Sequence, residues 1–540
     1  MQKLLVGTLP IVKPDANIKF KVFKSTNEFV TDLYTNDFTK YVIEQTGINF
    51  EWEQPLASDA EARLNLLFST NDYPEIVIGN INRDMINSWA LQKMIIPLDE
   101  LIEKYAPNTV KFLADQPMRK YTLLAGEGQI YAMPIANECL HCYTDGGIIY
   151  YYVPFQTALN LSVPKTLDEF TDNLKAIRDR DPNGNGKQDE IPLILKQDQR
   201  FNLINVFALS FYPMCVTEQY GLTLINNEPV LQMLEPKAKE AFKYMKMLVD
   251  EGLINKDFLS LTDADPIVEG ETDIAGWVLG GHTNNIFKKG AGTGRWPMVR
   301  AVPAFKGPEG IGYSSYKGTY GSSSPGVAIT DKCKYPDVAV RMIDWMYELE
   351  VMVNGYIGPK GEAWEWPDPG AVGLNGKPAL YKLLVNFGLQ RENCGWDQGN
   401  PALRTADFRL GEQATEVERI HAFMKNPNAT LEEAKQIMEL ASFNEVNNYE
   451  AANLRLTTAL PDEYNVPPRA FTLEESQRIA EIRAVADPYY EQAVGEFIIG
   501  IRNIESDWDT FISEMKRMGT DDYVKIYKEA LKRMYPDRFK

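Results

Sequence analysis

Short apolar segments with a strand-like pattern alternate with amphipathic helical segments through the first hundred residues of the chain. The segment 17–23, "NIKFKVF", has apolar residues at alternate positions, which is typical of a half-buried strand. A helical pattern over 29–47 follows and ends at a glycine; then come "INFEWEQ", a second helical pattern and the apolar "EIVIG" at 75–79. Strands that alternate with helices predict βαβ units and a parallel sheet, so the expected fold class is α/β.

The length of 540 residues predicts more than one lobe. A single hydrophobic core rarely serves more than about 250–300 residues, so we expect two large lobes. The extended segments 128–134 and 146–154 are predicted to cross between them, and the strand–turn–helix segment 326–348 is predicted to return to the first. The expected N-terminal lobe is residues 1–145 plus about 312–400, and the expected C-terminal lobe is residues 146–311 plus about 401–540, with a helix-rich last part.

The charge of the chain excludes several classes of partner. Its 75 acidic residues outnumber its 56 basic residues and give a formal charge of −19. Nucleic acid is held mainly through Lys and Arg contacts to phosphate, so a nucleic-acid-binding protein is not expected, nor is one that binds an anionic membrane surface. No apolar run approaches the roughly 20 residues that span a bilayer.

Cysteines and histidines are too few for a zinc or redox site. Cys139 and Cys142 form one C-x-x-C pair, but a zinc ribbon needs a second pair, so we interpret the five cysteines as free thiols. The start of the chain lacks a full signal-peptide core and cleavage site. We interpret Met1 as an expression start on a mature or trimmed chain, which leaves open whether a targeting segment has been removed.

The loop "DPNGNGKQDEIPL" at 181–193 predicts a calcium site. Oxygen-bearing side chains recur at alternate positions with glycines between them, as in the first half of an EF-hand loop, and hard Ca²⁺ prefers oxygen ligands. Position twelve, where an EF-hand has its bidentate Glu, is Pro192, so the prediction is an isolated structural Ca²⁺ loop. The alternative is an Asn-Gly turn without metal. The predicted ligands are Asp181, Asn183, Asn185, Asp189 and Glu190 through their side chains and Lys187 through its carbonyl.

Several blocks of the sequence resemble one family. The most specific is "VPKTLDEFTDNLKAIRDRDPNGNGKQDEIPL" at 163–193, and "RLNLLFSTNDYPEIVIGN", "GQIYAMP", "AITDKCKYPDVAVRMIDWMYELE", "GPKGEAWEW" and "FIIGIRNIESDWDTFISEMKRMG" occur in the same order as in that family. Together they resemble the extracellular solute-binding proteins of ABC importers, in the large cluster that contains calcium-binding receptors for alginate and fructo-oligosaccharides. The resemblance implies a fold like that of periplasmic binding proteins, with two lobes, a hinge and a ligand cleft. It also implies a receptor that passes its ligand to a membrane permease.

Loop tryptophans are the first candidates for binding sugar, because apolar C–H faces of sugar rings stack on aromatic rings. Trp277 lies in a glycine-rich segment, Trp396 in "NCGWDQGNP", and Trp364 and Trp366 in "GEAWEWPDPG". We expect exposed rings, so that alanine at Trp277 or Trp396 weakens binding while sparing stability; packing in the core is the alternative. The resemblance adds Tyr131. Trp345 and Trp508 have helical spacing and are expected in the core.

Polar candidates follow the predicted strands, since ligands of α/β sheets gather at the carboxyl ends of strands. They are Ser25, Asn27 and Glu28 after the first strand, Asn80 and Asn82 after the third, and Asn137, Glu138 and Asp145 near the hinge. Each of them has solvation on a loop as its alternative.

These observations predict a monomeric, extracellular or periplasmic receptor that captures an oligosaccharide of roughly two to six units in the cleft and delivers it to an ABC permease. The resemblance implies a lipid anchor, although this chain contains neither the family's signal peptide nor its anchoring cysteine. No P-loop, G-x-S-x-G or G-x-G-x-x-G motif is present, so we expect no catalysis. The alternatives are a binding protein for a non-sugar solute such as a peptide, and an adhesin or scaffold.

Overall fold

The structure is a computed structural model that describes residues 8–539 apart from 127, 139–146, 196–199, 255–269, 271, 281–292, 317–322 and 387–389. Cys139, Cys142 and Asp145 lie outside the described residues. The chain divides into two compact units. The first consists of Met1–Cys139, Thr319–Ala414 and Pro468–Gln477, and the second of Leu140–Gly318, Thr415–Pro467 and Arg478–Lys540.

The described residues form sixteen strands. They are β1 (Lys19–Phe23), β2 (Asn49–Glu53), β3 (Ile76–Ile78), β4 (Leu124–Ala125), β5 (Gln129–Ile130), β6 (Ala132–Asn137), β7 (Ile148–Tyr152), β8 (Ile191–Leu195), β9 (Leu222–Ile225), β10 (Glu228–Leu231), β11 (Ala275–Gly280), β12 (Val299–Ala301), β13 (Ser323–Ile329), β14 (Trp364–Glu365), β15 (Lys382–Leu383) and β16 (Leu403–Arg404).

Nineteen α-helices lie in the same described part of the chain. They are α1 (Asp37–Thr46), α2 (Ala60–Ser69), α3 (Arg83–Leu91), α4 (Asp99–Tyr105), α5 (Pro107–Asp115), α6 (Met118–Tyr121), α7 (Val153–Leu159), α8 (Leu167–Asp179), α9 (Arg200–Ala208), α10 (Ala238–Asp250), α11 (Pro336–Trp345), α12 (Leu349–Tyr356), α13 (Ala406–Arg409), α14 (Val417–Lys425), α15 (Leu431–Met438), α16 (Phe443–Leu456), α17 (Leu473–Ile498), α18 (Trp508–Arg517) and α19 (Thr520–Met534).

A six-stranded sheet forms the core of the first unit, in the order β16-β6-β13-β3-β1-β2. β1 is parallel to β2 and β3, and β16 is parallel to β6, whereas β13 is antiparallel to both β3 and β6. Five strands therefore run one way and only β13 runs against them. β3 is buried along its length, in agreement with the apolar run "EIVIG", and the predicted α/β class is confirmed.

The strand β13 belongs to the first sheet. It lies between β3 and β6, with Ala328 opposite both Val77 and Ala132. The register shifts between Pro325 and Val327, and Gly326 at that point lies so close to Ile135 that an added Cβ would be 2.1 Å from its Cγ2. A glycine is required there because no side chain fits.

The second unit is built on a smaller sheet in the order β12-β7-β11-β8. β11 is parallel to β8 and antiparallel to β7, and β12 is antiparallel to β7. The strands β9 and β10 form a separate antiparallel hairpin. Most helices from α14 onward belong to this unit, which confirms the helix-rich C-terminal part.

The helix predicted over 29–47 is shorter in the structure, where α1 begins at Asp37. Asn36 caps it through a hydrogen bond from the Thr39 N–H, and Gly47 ends it with a left-handed φ of 74°. Residues 29–35 form turns in which side chains of Asn27 and Asp32 accept backbone N–H groups, which competes with helix formation.

None of the described helices is long and apolar enough to cross a membrane. Among the cysteines that the structure describes, Cys215, Cys333 and Cys394 are free thiols.

Candidate functional site

The carboxyl ends of five parallel strands meet at one edge of the first sheet, where ligands of α/β proteins bind. Lys24 and Ser25 follow β1, Asn80 follows β3, and Asn137 and Arg404 end β6 and β16, opposite each other. We call this edge the strand-end edge of the first unit. Three of the predicted polar candidates, Ser25, Asn80 and Asn137, lie along it.

Ser25 and Asn80 are brought together at the strand-end edge. The Ser25 hydroxyl donates to Asn80 Oδ1 at 2.6 Å. Asn80 is exposed and has a left-handed φ of 53°, a conformation that asparagine tolerates better than most residues. The side chain of Asn82 has a local role, because it accepts the Met85 N–H and caps α3.

Asn27 and Glu28 lie in the loop that follows β1, and both are exposed. Asn27 Oδ1 accepts the N–H groups of Phe29 and Val30 at 2.8 and 2.9 Å, so this oxygen stabilises the loop. Asn27 Nδ2 lies 3.5 Å from Asp397 Oδ2, a long hydrogen bond that connects this loop to the segment 393–400.

Lys24 and Asp397 are two buried charged residues that attract each other, and the sequence analysis missed both. They are only 4% and 7% exposed. Lys24 Nζ donates to the Gly399 carbonyl at 3.1 Å. Burial lowers the pKa of Lys24 to about 8, and attraction to Asp397 opposes only part of that shift. Their separation of more than 370 positions in the chain hid the pair, and lysine after a strand carries no motif.

Asp397 has two features typical of functional positions. Its φ is 51°, in the left-handed region that non-glycine residues rarely adopt. Its Oδ1 is buried and accepts no hydrogen bond from any residue that the structure describes. A buried oxygen without a donor is costly unless a ligand or water supplies one.

Glu138 has a structural role at the end of β6. It is buried and forms an ion pair with the buried Arg119. Its second oxygen accepts the Ala406 N–H at 2.8 Å, at the first residue of α13. Both oxygens already have partners, so the carboxylate has little capacity left for a sugar. Asn137 is half-buried beside it.

The expectation of an exposed loop ring is wrong for Trp396. Its side chain is fully buried in the first unit, where Nε1 donates to the Thr39 hydroxyl at 2.9 Å. Phe38 and Trp52 meet it edge to face, with ring centroids at 5.1 and 5.6 Å. No face of the ring is open to a sugar in this arrangement.

The same expectation is wrong for Trp277, which lies inside β11 instead of in a loop. It is fully buried in the second unit. Phe170 meets it edge to face at 5.0 Å, and Tyr151, its partner across the strand pair, lies at 5.6 Å. The ring belongs to the core of its sheet.

Trp366 is the predicted tryptophan that keeps an exposed ring, with 45% of its surface accessible. It packs against the buried Trp364 at 5.2 Å, and Lys360 Nζ lies 4.5 Å from its centroid. Tyr131 is buried in the first-unit core, where it packs with residues such as Trp89. Trp345 and Trp508 are buried, as expected.

The corresponding edge of the second unit is described only in part. Residues 196–199 and 281–292, which follow β8 and β11, lie outside the described residues. The site residues discussed here therefore come mainly from the first unit.

The loop 181–190 is tightly folded around its first residue. Asp181 has a left-handed φ of 46°, and its carboxylate accepts the N–H groups of Asn185 and Gly186 at 3.1 and 2.8 Å. Asn183 Oδ1 also accepts the Asn185 N–H, while its amide donates to the Asp273 carbonyl at 3.0 Å. The amide of Asn185 donates to Asp189 at 3.1 Å. The oxygens of these residues are thus concentrated in one turn.

Glu190 supplies the test of whether a cation fits this loop. It is 9% exposed, and neither carboxylate oxygen has a hydrogen-bond partner within the described ranges. Burial raises the pKa of the Glu190 carboxyl above its ordinary value, and the charges of Asp181 and Asp189 add to the shift. A buried carboxylate beside two like charges is the environment that a hard cation would relieve.

The carboxylates are not assembled as a finished metal cluster. Among the described residues no group of three His, Cys, Asp or Glu side chains is arranged to hold a metal ion. Mutual repulsion keeps neighbouring carboxylates apart when no cation balances them. The donor set fits Ca²⁺, and binding would require the three carboxylates to approach one another.

Comparison with known proteins gives a consistent result. Residues 31–353 match the model of the family described as bacterial extracellular solute-binding protein. The chain is 25% identical over 524 residues to the fructooligosaccharide ABC transporter substrate-binding protein FusA of Streptococcus pneumoniae, covering 92% of this chain and 86% of that protein.

Solved structures share the fold. An EF-hand mutant of FusA from S. pneumoniae in complex with fructo-nystose matches with a TM-score of 0.75 at 19% identity, covering 96% of this chain and 100% of that one. The alginate-binding protein AlgQ2, solved without calcium ion, matches with a TM-score of 0.68 at 16% identity over 95% of this chain and 97% of that one.

Proposed function

Because the chain belongs to the family of bacterial extracellular solute-binding proteins, we propose that it captures an oligosaccharide and delivers it to the permease of an ABC importer. The family inferred from the sequence motifs is confirmed by this match. The observation that carries the proposal is the similarity to FusA, which extends over nearly the whole of both chains and so includes both units.

The proposed ligand site on the first unit is its strand-end edge. Sugar hydroxyl groups both donate and accept, so a receptor needs both kinds of partner. Lys24 supplies a donor, Ser25 and Asn80 supply groups of both kinds, and the free Oδ1 of Asp397 is an acceptor held in place by the fold. Asn27 and Glu28 remain proposed contacts from the loop beside it.

The proposed aromatic contribution changes with the structure. Trp366 has the exposed ring that stacking requires, so the stacking proposal rests on it. Trp277, Trp396 and Tyr131 would support the site from the core, by fixing the positions of the strands and loops around it. Asn137 and Glu138 would act in the same way at the end of β6.

We propose no turnover of the ligand. The family consists of binding proteins, and the charged pair Lys24–Asp397 is explained by ligand binding without a reaction. The proposed partners are the oligosaccharide and the permease subunits, and the proposed state is a monomer. Membership of an extracellular family supports a location outside the cell, and attachment by a lipid anchor is part of the proposal.

A structural Ca²⁺ ion in the loop 181–190 completes the proposal. Asp181, Asn183, Asn185, Asp189 and Glu190 would hold it with their side chains, and Lys187 with its carbonyl oxygen. Bound there, the ion would supply two positive charges that balance three carboxylates. The support is the buried, unpartnered Glu190 and the EF-hand of the similar protein FusA.

Calorimetry in about 1 mM CaCl₂ tests the function. The panel begins with short fructo-oligosaccharides and alginate fragments, and simple peptides are measured beside them. We expect heat of binding with an oligosaccharide of roughly two to six units and no change in the sugar after incubation. Binding of peptides with no response to any sugar would overturn the ligand class, and release of shorter sugars would overturn the absence of catalysis.

A further inference from the structure

The hairpin β9–β10 of the second unit has an edge at β10 that pairs with no other strand in the described part of the chain, and α19 packs against the hairpin through the Lys528–Glu228 ion pair. Its turn is the two-residue loop of Asn226 and Asn227, both with left-handed φ values, of 53° and 65°. In a two-residue hairpin the residues that flank the turn, here Ile225 and Glu228, exchange both backbone hydrogen bonds. β10 has no second strand beside it in the part of the chain that is described.

The register determines which backbone groups of β10 point away from β9. Hydrogen-bonded and non-hydrogen-bonded pairs alternate in an antiparallel hairpin. Pro229 and Leu231 therefore occupy the non-hydrogen-bonded positions, opposite Leu224 and Leu222. The Pro229 carbonyl and the Leu231 N–H are directed outward, and a proline is tolerated at 229 because no N–H is needed there.

A groove of about 690 Å³ runs along this edge of β10. It is lined by Pro229, Val230 and Leu231 on one side and by residues of α18 and α19, such as Ile512 and Val524, on the other. Successive side chains of a strand point to opposite faces. The groove reaches three successive residues of β10, as a groove along the edge of that strand does.

The groove carries unbalanced negative charge. Glu235, Asp509 and Asp521 line it, are exposed, and have no ion-pair partner among the residues described. Of the two lysines that line it, Lys239 is already paired with Glu505 at 3.1 Å, which leaves Lys516 as the unpaired cation. Asp509 and Asp521 also stabilise the first turns of α18 and α19, but a helix terminus carries only about half a charge.

A second copy of the chain is a poor occupant for this groove. Pairing of β10 with β10 would bring the same three carboxylates of each copy together, and each chain has a formal charge of −19. Like charges at an interface oppose association. A segment with basic side chains has the complementary charge.

We propose that the groove beside β10 binds an extended segment of another polypeptide in which basic and apolar side chains alternate. The segment adds a strand to the hairpin through the Pro229 carbonyl and the Leu231 N–H. Its apolar side chains contact Val230, Ile512 and Val524, and its basic side chains face the three carboxylates. The groove does not involve the strand-end edge of the first unit, and its hairpin is not part of the four-stranded sheet of the second unit.

The test uses the full chain and the probe peptide acetyl-KVKVKV-amide, measured by fluorescence anisotropy at low salt. The charge control is acetyl-EVEVEV-amide. Two further probes carry N-methyl groups on either all lysine or all valine backbone nitrogens. Strand addition uses one edge of the peptide, so one methylated probe should lose about tenfold or more in affinity while the other keeps it.

Protein variants locate the binding. Val524→Lys places a positive charge in the groove, and the double change Asp509→Asn with Asp521→Asn removes two negative ones; each should weaken binding of the basic probe by about fivefold or more. The matched control is Glu439→Gln with Asp462→Asn, two exposed acids of the same unit outside the groove. Melting curves confirm that each variant is folded.

The proposal is overturned if the basic probe does not bind, or if the basic and acidic probes bind equally. It is also overturned if both methylated probes behave alike or if Val524→Lys has no effect, because the peptide then binds elsewhere. Concentration-dependent dimerisation that Val524→Lys abolishes would identify a second copy as the occupant instead.

Discussion

Lys24 and Asp397 hold opposite charges in a nearly solvent-free position. Burying a charge is costly unless it is paired, and removing one partner of a buried pair leaves the other uncompensated. The pair is also incomplete, since one oxygen of Asp397 has no donor among the described residues. These two residues thus give two separate predictions, one for ligand affinity and one for the dependence of stability on pH.

The first prediction is that Asp397→Asn weakens oligosaccharide binding by about ten- to hundredfold. The substitution keeps the shape of the side chain but removes the charge, and a hydrogen bond to a charged group contributes about 1.5–3 kcal/mol. Calorimetry measures the affinity, with Glu61→Gln, an exposed acid on α2, as the control. Unchanged affinity in Asp397→Asn would remove this carboxylate from the proposed site.

The second prediction concerns pH. The pKa of Lys24 is lowered from 10.5 to about 8 by burial, so between these values the unfolded state binds more protons than the folded state. Stability must then rise with pH in this interval, by up to about 3 kcal/mol from this group. The free energy of unfolding of the wild type, relative to that of Lys24→Met, should increase from pH 7.5 to pH 10. Parallel curves for the two proteins would contradict it.

The third prediction separates the tryptophans. Trp396→Ala and Trp277→Ala remove fully buried rings and should each cost about 3–5 kcal/mol of stability, contrary to the expectation drawn from the sequence. Trp366→Ala removes a half-exposed ring and should change the melting temperature little while weakening sugar binding. Thermal melts and calorimetry on the three variants measure both effects. A stable Trp396→Ala variant would show that its ring is not needed in the core.

At the scale of elements, the sequence was informative wherever a local pattern had a local cause. The alternation in β1 and the apolar run of β3 were both predicted from the sequence. Residues 29–35 looked helical, yet contacts with residue Asn393, more than 350 positions away, and hydrogen bonds within the loop hold them in turns. Helix propensity does not decide the structure of a segment whose backbone N–H and C=O groups form hydrogen bonds with side chains instead.

The element with the clearest electrostatic consequence is the loop 181–190. Burial raises the pKa of the Glu190 carboxyl in the folded protein. Without a cation, ionisation of this carboxyl therefore opposes folding, and the free energy of unfolding should fall as the pH rises above the ordinary pKa of a glutamate. We predict that CaCl₂ raises the melting temperature at neutral pH and that EDTA lowers it. Glu190→Gln should remove most of the response to calcium, whereas Glu169→Gln, on the preceding helix, should keep it.

The measurement is a thermal melt of each protein with CaCl₂, with MgCl₂ and with EDTA, together with elemental analysis of the purified chain. If calcium is absent and EDTA leaves the melt of the wild type unchanged, the loop is a turn without metal. A calcium response that Glu190→Gln retains would mean that this carboxylate is not a ligand.

At the scale of the whole molecule, the boundaries of the units depend on contacts that no local pattern reveals. β16 has two residues and pairs with β6 across more than 260 positions. The segment 468–477 belongs to the first unit, where the amide of Asn87 donates to the Phe471 carbonyl and the Ser476 hydroxyl. Short contacts between distant parts of the chain leave no periodic pattern in the sequence. The sequence analysis missed Lys24 and Asp397 for the same reason.

A prediction about independent folding follows from the register of β6 and β13. Ala136, near the end of β6, lies opposite Ser323, the first residue of β13. A short hairpin turn could therefore join these two strands in place of the long segment that connects them in this chain. We predict that residues 8–138 alone do not fold cooperatively, because β3 and β6 lose the strand between them. Joining 8–138 to 323–414 through a turn of about two residues should restore the sheet and cooperative unfolding.

Circular dichroism melts and amide proton spectra of the two fragments measure this difference, and the full chain provides the reference. Cooperative melting of residues 8–138 by themselves would mean that the sheet does not depend on β13. Failure of the joined fragment while the full chain melts normally would place the missing stability in the segment 468–477.

The position of β13 between β3 and β6 also determines when the first unit can fold. A ribosome must complete residue 329 before the central strand exists and residue 404 before the last strand of the sheet exists. Pairing across such separations requires large loops to close first, which makes folding slow. Until then one edge of the apolar strand β3 is unpaired. The duration of this state determines how long the nascent chain is susceptible to aggregation and accessible to chaperones.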